Sequence, residues 1–167
     1  MSVRLATVWL DGCSGCHMSV LDTDERLIEL AEHIEVVWGP YVDAKEFPPD
    51  VDVTLVEGAI SSVEDLHKIR IVRERTKVLV SLGDCAVTGN VPAMRNHFGT
   101  RAVLQAGYGE ATPRQVIPAL LDAVRPVHEV VPVDVFVPGC PPSADLIHFV
   151  LTELIAGRKP EMKAKFG

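Results

Sequence analysis

Five short apolar runs, each closed by Gly, Pro or Asp, constrain this chain more than anything else in it. They fall at Val3 to Leu10, Ile34 to Trp38, Val51 to Val56, Lys77 to Leu82 and Val133 to Val137. Their length and β-branched content predict strands, mostly buried. Segments with helical signals lie between them, at His17 to Glu32, Val63 to Arg75, Arg114 to Val124 and Ala144 to Ala156. The last is the clearest: Ile147, Val150, Leu151 and Leu154 fall at i, i+3, i+4 and i+7, and Ser143 is placed to cap it. Strands that alternate with helices require a parallel sheet covered on both faces.

Five strands in 167 residues fit one α/β domain with the flavodoxin-like doubly wound order 2-1-3-4-5, spanning residues 1–157. The stretch from Asn90 to Pro113 is broken by Pro92, Gly99, Gly107 and Gly109 and reads as an irregular excursion. Residues 158–167 read as a charged tail that a partner would order. With 47% hydrophobic residues the chain can bury a sizeable core, and its net charge of -7 opposes binding to nucleic acid or an anionic membrane. The apolar run before Asp11 is too short for a signal sequence or a membrane span, so a cytoplasmic protein is expected. There, four cysteines serve as ligands or catalytic thiols sooner than as disulfides.

The order of strands puts Cys13 and Cys16 in the loop after the first strand, Cys85 after the fourth and Cys140 after the fifth, all at the carboxyl edge of the sheet. Doubly wound sheets form their crevice at that edge, where residues distant in sequence meet. Four thiols in one crevice select zinc or an iron-sulfur cluster. Each stands beside glycine, in Asp11-Gly12-Cys13-Ser14-Gly15-Cys16, Gly83-Asp84-Cys85 and Pro138-Gly139-Cys140-Pro141-Pro142, which lets backbone amides approach sulfur. A thioredoxin-type pair of Cys13 and Cys16 would leave Cys85 and Cys140 without a role. Structural zinc sites usually come as two close pairs, and only one is present.

The motifs CSGCHMSVLD at 13–22, LVEGAI at 55–60, LVSLGDCAVTGN at 79–90 and VPGCPP at 137–142 together resemble the small subunit of nickel-iron hydrogenases, above all the soluble NAD-reducing type. That resemblance implies one 4Fe-4S cluster on Cys13, Cys16, Cys85 and Cys140 and a large subunit carrying the nickel-iron centre. It also implies iron-sulfur and flavin subunits of a diaphorase module that holds the NAD site. Which final acceptor is used, NAD, NADP or another carrier, belongs to those other chains. Membrane-bound and periplasmic members of that family have a twin-arginine signal and a C-terminal extension for further clusters; neither pattern is found here. The cluster subunit of respiratory complex I is similar too, but carries two adjacent cysteines where this chain has Gly15-Cys16-His17. A zinc-stabilised interaction module is the non-enzyme alternative.

Glu57 closes the third strand on the cysteine edge, and the matching family glutamate lies near the subunit contact. It reads either as a proton relay in a partly dry crevice or as an ordinary loop acceptor. His17 follows a cysteine and reads as the first residue of a helix or as a donor to the cluster. The histidines at 33, 67, 97, 128 and 148 show no spacing that suggests a site. FMN is not the favoured expectation: flavodoxins hold its phosphate in the loop after the first strand, which Cys13 and Cys16 occupy here, so a flavin would have to sit elsewhere along the edge.

Overall fold

The centre of the first strand, β1 (Val3–Trp9), is buried from Leu5 to Val8 on both faces, so it must lie inside a sheet and not at its rim. In the computed structural model, which describes residues 2–113 and 115–162, it is followed by α1 (Gly15–Leu21), α2 (Arg26–Ala31), β2 (Ile34–Trp38), β3 (Val51–Glu57) and the short β4 (Ile60–Ser62). Then come α3 (Val63–Glu74), β5 (Thr76–Leu82), α4 (Asp84–Thr88), α5 (Asn90–Ala93), α6 (Thr100–Tyr108), β6 (Leu120–Arg125), β7 (Val135–Val137) and α7 (Ala144–Ile155). The main sheet has the order β2-β1-β3-β5-β7 with every pairing parallel, which is the expected 2-1-3-4-5 arrangement.

Alternate side chains of these strands feed two cores. Leu5, Val53, Leu55, Val80, Leu82 and Val137 face α1, α2 and α7, where Val20, Leu30, Ile147 and Leu151 meet them. On the other face Ala6, Val8, Val56 and Leu79 pack against Ile69 and Val72 of α3 and Ala86 of α4. Two cores of this kind are what parallel strands with right-handed crossovers produce. The α3 crossover starts at a reciprocal cap: Asp65 N donates to Ser62 Oγ, while Ser62 N donates to Asp65 Oδ2.

Several expectations are corrected. The helix expected over His17 to Glu32 is two helices, because Asp24 takes a left-handed φ of 57° and Thr23 turns its hydroxyl back on the Val20 carbonyl. The helix expected over Arg114 to Val124 is a strand from Leu120, pairing antiparallel with β4; Arg114 lies outside the described residues. Pro118 denies that segment a helical donor, and a sheet edge was available to it. The excursion from Asn90 to Pro113 is largely helical, since Pro92 falls in the first turn of α5, and Gly99 and Gly109 flank α6 instead of breaking it. The charged tail begins against the fold: Arg158 N donates to the Glu153 carbonyl, Pro160 is buried and Met162 packs on the first core. Its remainder, residues 163–167, lies outside the described residues.

Candidate cysteine centre

The carboxyl ends of β1, β3, β5 and β7 share one edge, and the connections leaving it carry the chemistry. Leu10 N donates to the Glu57 carbonyl, and Asp11 and Ala59 exchange both backbone hydrogen bonds, which clamps the Cys13 loop to the end of β3. Gly58 makes this possible: at φ 89° it carries no Cβ, and one would lie 2.8 Å from the Leu10 carbonyl carbon. Cys16 sits in the first turn of α1 and Cys85 in the first turn of α4, not in open loops. The Cys85 turn is knitted to the Cys140 loop by Asp84 N to the Gly139 carbonyl (2.9 Å) and Gly139 N to Asp84 Oδ1 (2.7 Å). Ser19 Oγ of α1 donates to the Pro142 carbonyl at 2.5 Å, joining the first and last cysteine segments.

All four expected cysteines are therefore brought together, as free thiols. Cys13 and Cys140 are exposed, Cys85 is half-buried and Cys16 is buried. Burial pushes the Cys16 thiol up to about 12, with further repulsion from Glu57 and from Cys85, Cys13 and Cys140. The Cys85 thiol is also raised by burial and by Cys140 and Cys13, offset in part by an amide hydrogen bond from Val91. Burial and close neighbours thus hold Cys16 and Cys85 as neutral thiols, and positive charge such as iron would supply is what would let them ionise and bind. Gly83 provides the space: a Cβ there would come within 2.2 Å of Cys16 Sγ. Donor chemistry and setting thus fit a thiolate-bound iron-sulfur cluster. Among the described residues, no group of three or more His, Cys, Asp or Glu side chains is set to hold a single metal ion.

Glu57 is not at the crevice surface. It is 1% exposed, and its Oε2 accepts from the His17 backbone N–H at 2.9 Å and pairs with His17 Nδ1. Of its two readings, the loop acceptor is the contact seen: the carboxylate holds α1, and hence Cys16, against β3. His17 is buried, is the third residue of α1, and has Nε2 without a partner. Tyr41 Oη donates to the His17 carbonyl at 3.0 Å. Sequence reasoning overlooked Asp84, Ser19 and Asn90, whose Nδ2 lies 3.6 Å from Cys140 Sγ. Asp84 was the most accessible of these, standing directly before Cys85 at a helix start.

A model of the family described as NADH ubiquinone oxidoreductase, 20 kDa subunit, matches residues 13–154, which takes in every cysteine and all the strands of the main sheet except β1. The chain belongs to this family. Proteins similar to this chain include subunit delta of the NAD-reducing hydrogenase HoxS of Cupriavidus necator, 40% identical over 93% of this chain and 80% of that protein. A chain of the F420-non-reducing hydrogenase vhu of Methanocaldococcus jannaschii is 34% identical over 99% of this chain. This chain spans only 60% of the length of that relative and of its Methanococcus voltae counterpart. A solved NAD+-reducing NiFe-hydrogenase in the H2-reduced state contains a chain 37% identical to this one, with a TM-score of 0.93 over 97% of this chain and 96% of that chain. The family resemblance drawn from the four sequence motifs is thereby borne out. Among the described residues, no helix is long and apolar enough to cross a membrane.

Proposed function

We propose that this chain is the electron-transfer small subunit of a nickel-iron hydrogenase and that Cys13, Cys16, Cys85 and Cys140 hold one 4Fe-4S cluster. Bound there, the cluster would carry single electrons between the nickel-iron centre of a large subunit and iron-sulfur and flavin subunits of a diaphorase module that reduces NAD. The observation that best supports this reading is the meeting of four thiols from three separate segments at one sheet edge, in a chain whose backbone matches one of an NAD+-reducing hydrogenase.

The chain's own residues have three tasks in this reading. The cysteines supply soft ligands of graded exposure, buried at Cys16 and open to a partner at Cys13 and Cys140. Glu57, Asp84 and Ser19 fix the segments that carry them. Glu57 is also the residue proposed to exchange protons, in the dry end of β3 beside His17. With a single centre to serve, the large subunit and the diaphorase module must both dock near this edge, in the cytoplasm. FMN stays unassigned, because the first-strand loop is given over to Cys13 and Cys16.

The test is direct. The complex purified from its host should be brown, bleach with a reductant, and hold iron and acid-labile sulfide in near-equal amounts, with hydrogenase large and diaphorase subunits attached. A colourless protein holding zinc would overturn the proposal. The family description favours one alternative, a cluster subunit of an NADH-quinone oxidoreductase, and the identity of the attached subunits separates the two.

A further inference from the structure

We infer that Asn90 is a positioning residue whose side-chain amide donates a hydrogen bond to the Cys140 sulfur and thereby raises the reduction potential of the centre. The inference rests on the proposed function, since it concerns a cluster held by these thiols. Asn90 Nδ2 lies 3.6 Å from Cys140 Sγ, an ordinary separation for a donor to sulfur. The orientation of the amide follows from chemistry: its oxygen in that place would face the sulfur's lone pairs.

The backbone supports the same reading. Asn90 has φ 33°, on the left-handed side that asparagine tolerates better than most residues with a Cβ and that glycine would hold without strain. What the position gains in return is the side chain. The neighbouring Val91 amide opposes the rise of the Cys85 thiol, so the turn after Gly89 acts on two of the four cysteines. Donors to ligand sulfur stabilise the more negative, reduced state and so raise the potential. Docking of a partner over exposed Cys140 would exclude water and strengthen the bond.

The experiment uses the assembled complex, with Asn90→Gly, which removes the amide and suits the backbone, and Asn90→Asp, which keeps the size but replaces the donor with a charged acceptor. Iron and sulfide are assayed first, and the cluster is then titrated against solution potential by electron paramagnetic resonance. Both variants should retain iron and sulfide. At a fixed potential the ratio of reduced to oxidised cluster should fall about tenfold in Asn90→Gly, about 59 mV for a one-electron couple, and further in Asn90→Asp. Full cluster content with the wild-type midpoint in both variants would overturn the inference while leaving the proposed function intact. Loss of the cluster in Asn90→Gly together with a wild-type midpoint in Asn90→Asp would overturn it too, because the amide would then serve folding alone. A wild-type complex without iron and sulfide would bring down the proposed function, and this inference with it.

Discussion

Replacing Gly83 with alanine tests the site through its geometry. Gly83 stands at φ 83°, ψ 160°, in a region essentially reserved for glycine, where an L side chain costs on the order of 1–3 kcal/mol. The new Cβ would also sit 2.2 Å from Cys16 Sγ, well inside contact distance, with the Gly139 carbonyl 3.5 Å away on another side. Cys16 is only 8% exposed and belongs to the first turn of α1, so it has no room to swing aside. Overpacking of this kind adds about 1–3 kcal/mol, for a total of about 2–6 kcal/mol. At about 2–4 °C per kcal/mol for a domain of this size, Tm should fall by on the order of 10 °C. The displaced sulfur should also lower iron and sulfide content well below wild type. Gly107→Ala is the control: it lies inside α6 with nothing within 4 Å of a new Cβ, and should be neutral or stabilise by about 0.5–1 kcal/mol. A Gly83→Ala protein with the wild-type Tm and a full complement of iron and sulfide would refute the reasoning.

Cys85→Ser should lose or degrade the cluster and abolish hydrogen-dependent NAD reduction by the complex, because a hydroxyl is a poor soft-metal ligand; His33→Ala and His128→Ala should leave iron content unchanged. Glu57→Gln keeps an acceptor for the His17 amide but removes the carboxyl group paired with His17 Nδ1, so Tm should fall by a few degrees, from a loss of about 1–2 kcal/mol, and hydrogen turnover should slow at unchanged cluster content. Wild-type rates of hydrogen oxidation and of hydrogen-water isotope exchange would make Glu57 purely structural. The Lys77 hydrogen bond, with the Arg4 amide, holds the Asp52 carboxyl below its ordinary value. Its contribution is therefore complete above the unfolded value of about 3.9 and disappears as pH falls through the lower folded one. Thermal melts of Asp52→Asn should differ from wild type near neutral pH and converge in acid; a gap independent of pH would exclude the ion pair as its source.

The sheet was legible in the sequence because parallel strands are buried on both faces and so appear as nearly continuous apolar runs, as at Val53 to Val56 and Leu79 to Leu82, interrupted only by the small buried Thr54 and Ser81. The cysteines were legible because topology alone sends the connection after each of those strands to one edge. Segments held by tertiary contacts were not. Leu120 to Arg125 is a strand because β4 offers an edge and Asn96 exchanges hydrogen bonds with Val124, neither of which leaves a local pattern. The break after Leu21 depends on one residue, Asp24, taking a left-handed conformation within an otherwise helical run. Glu57 was found by its place on the edge, but its partner was not, since His17 lies 40 residues away and meets it only once β1 and β3 are side by side.

The hydrogen bonds between the Cys85 turn and the Cys140 loop bear on the order of assembly. The last thiol follows β7, the final strand of the sheet, and its loop is fixed only when Asp84 and Ser19 can both engage it. A nascent chain with β7 and everything after it still inside the ribosome would present three thiols without their fourth corner, and its open sheet edge along β5 would remain unpaired. If the four thiols hold a cluster as proposed, its loading would wait until Cys140 has emerged. A fragment cut before Pro138 would lack Cys140 and could not complete the site, however well its strands had folded.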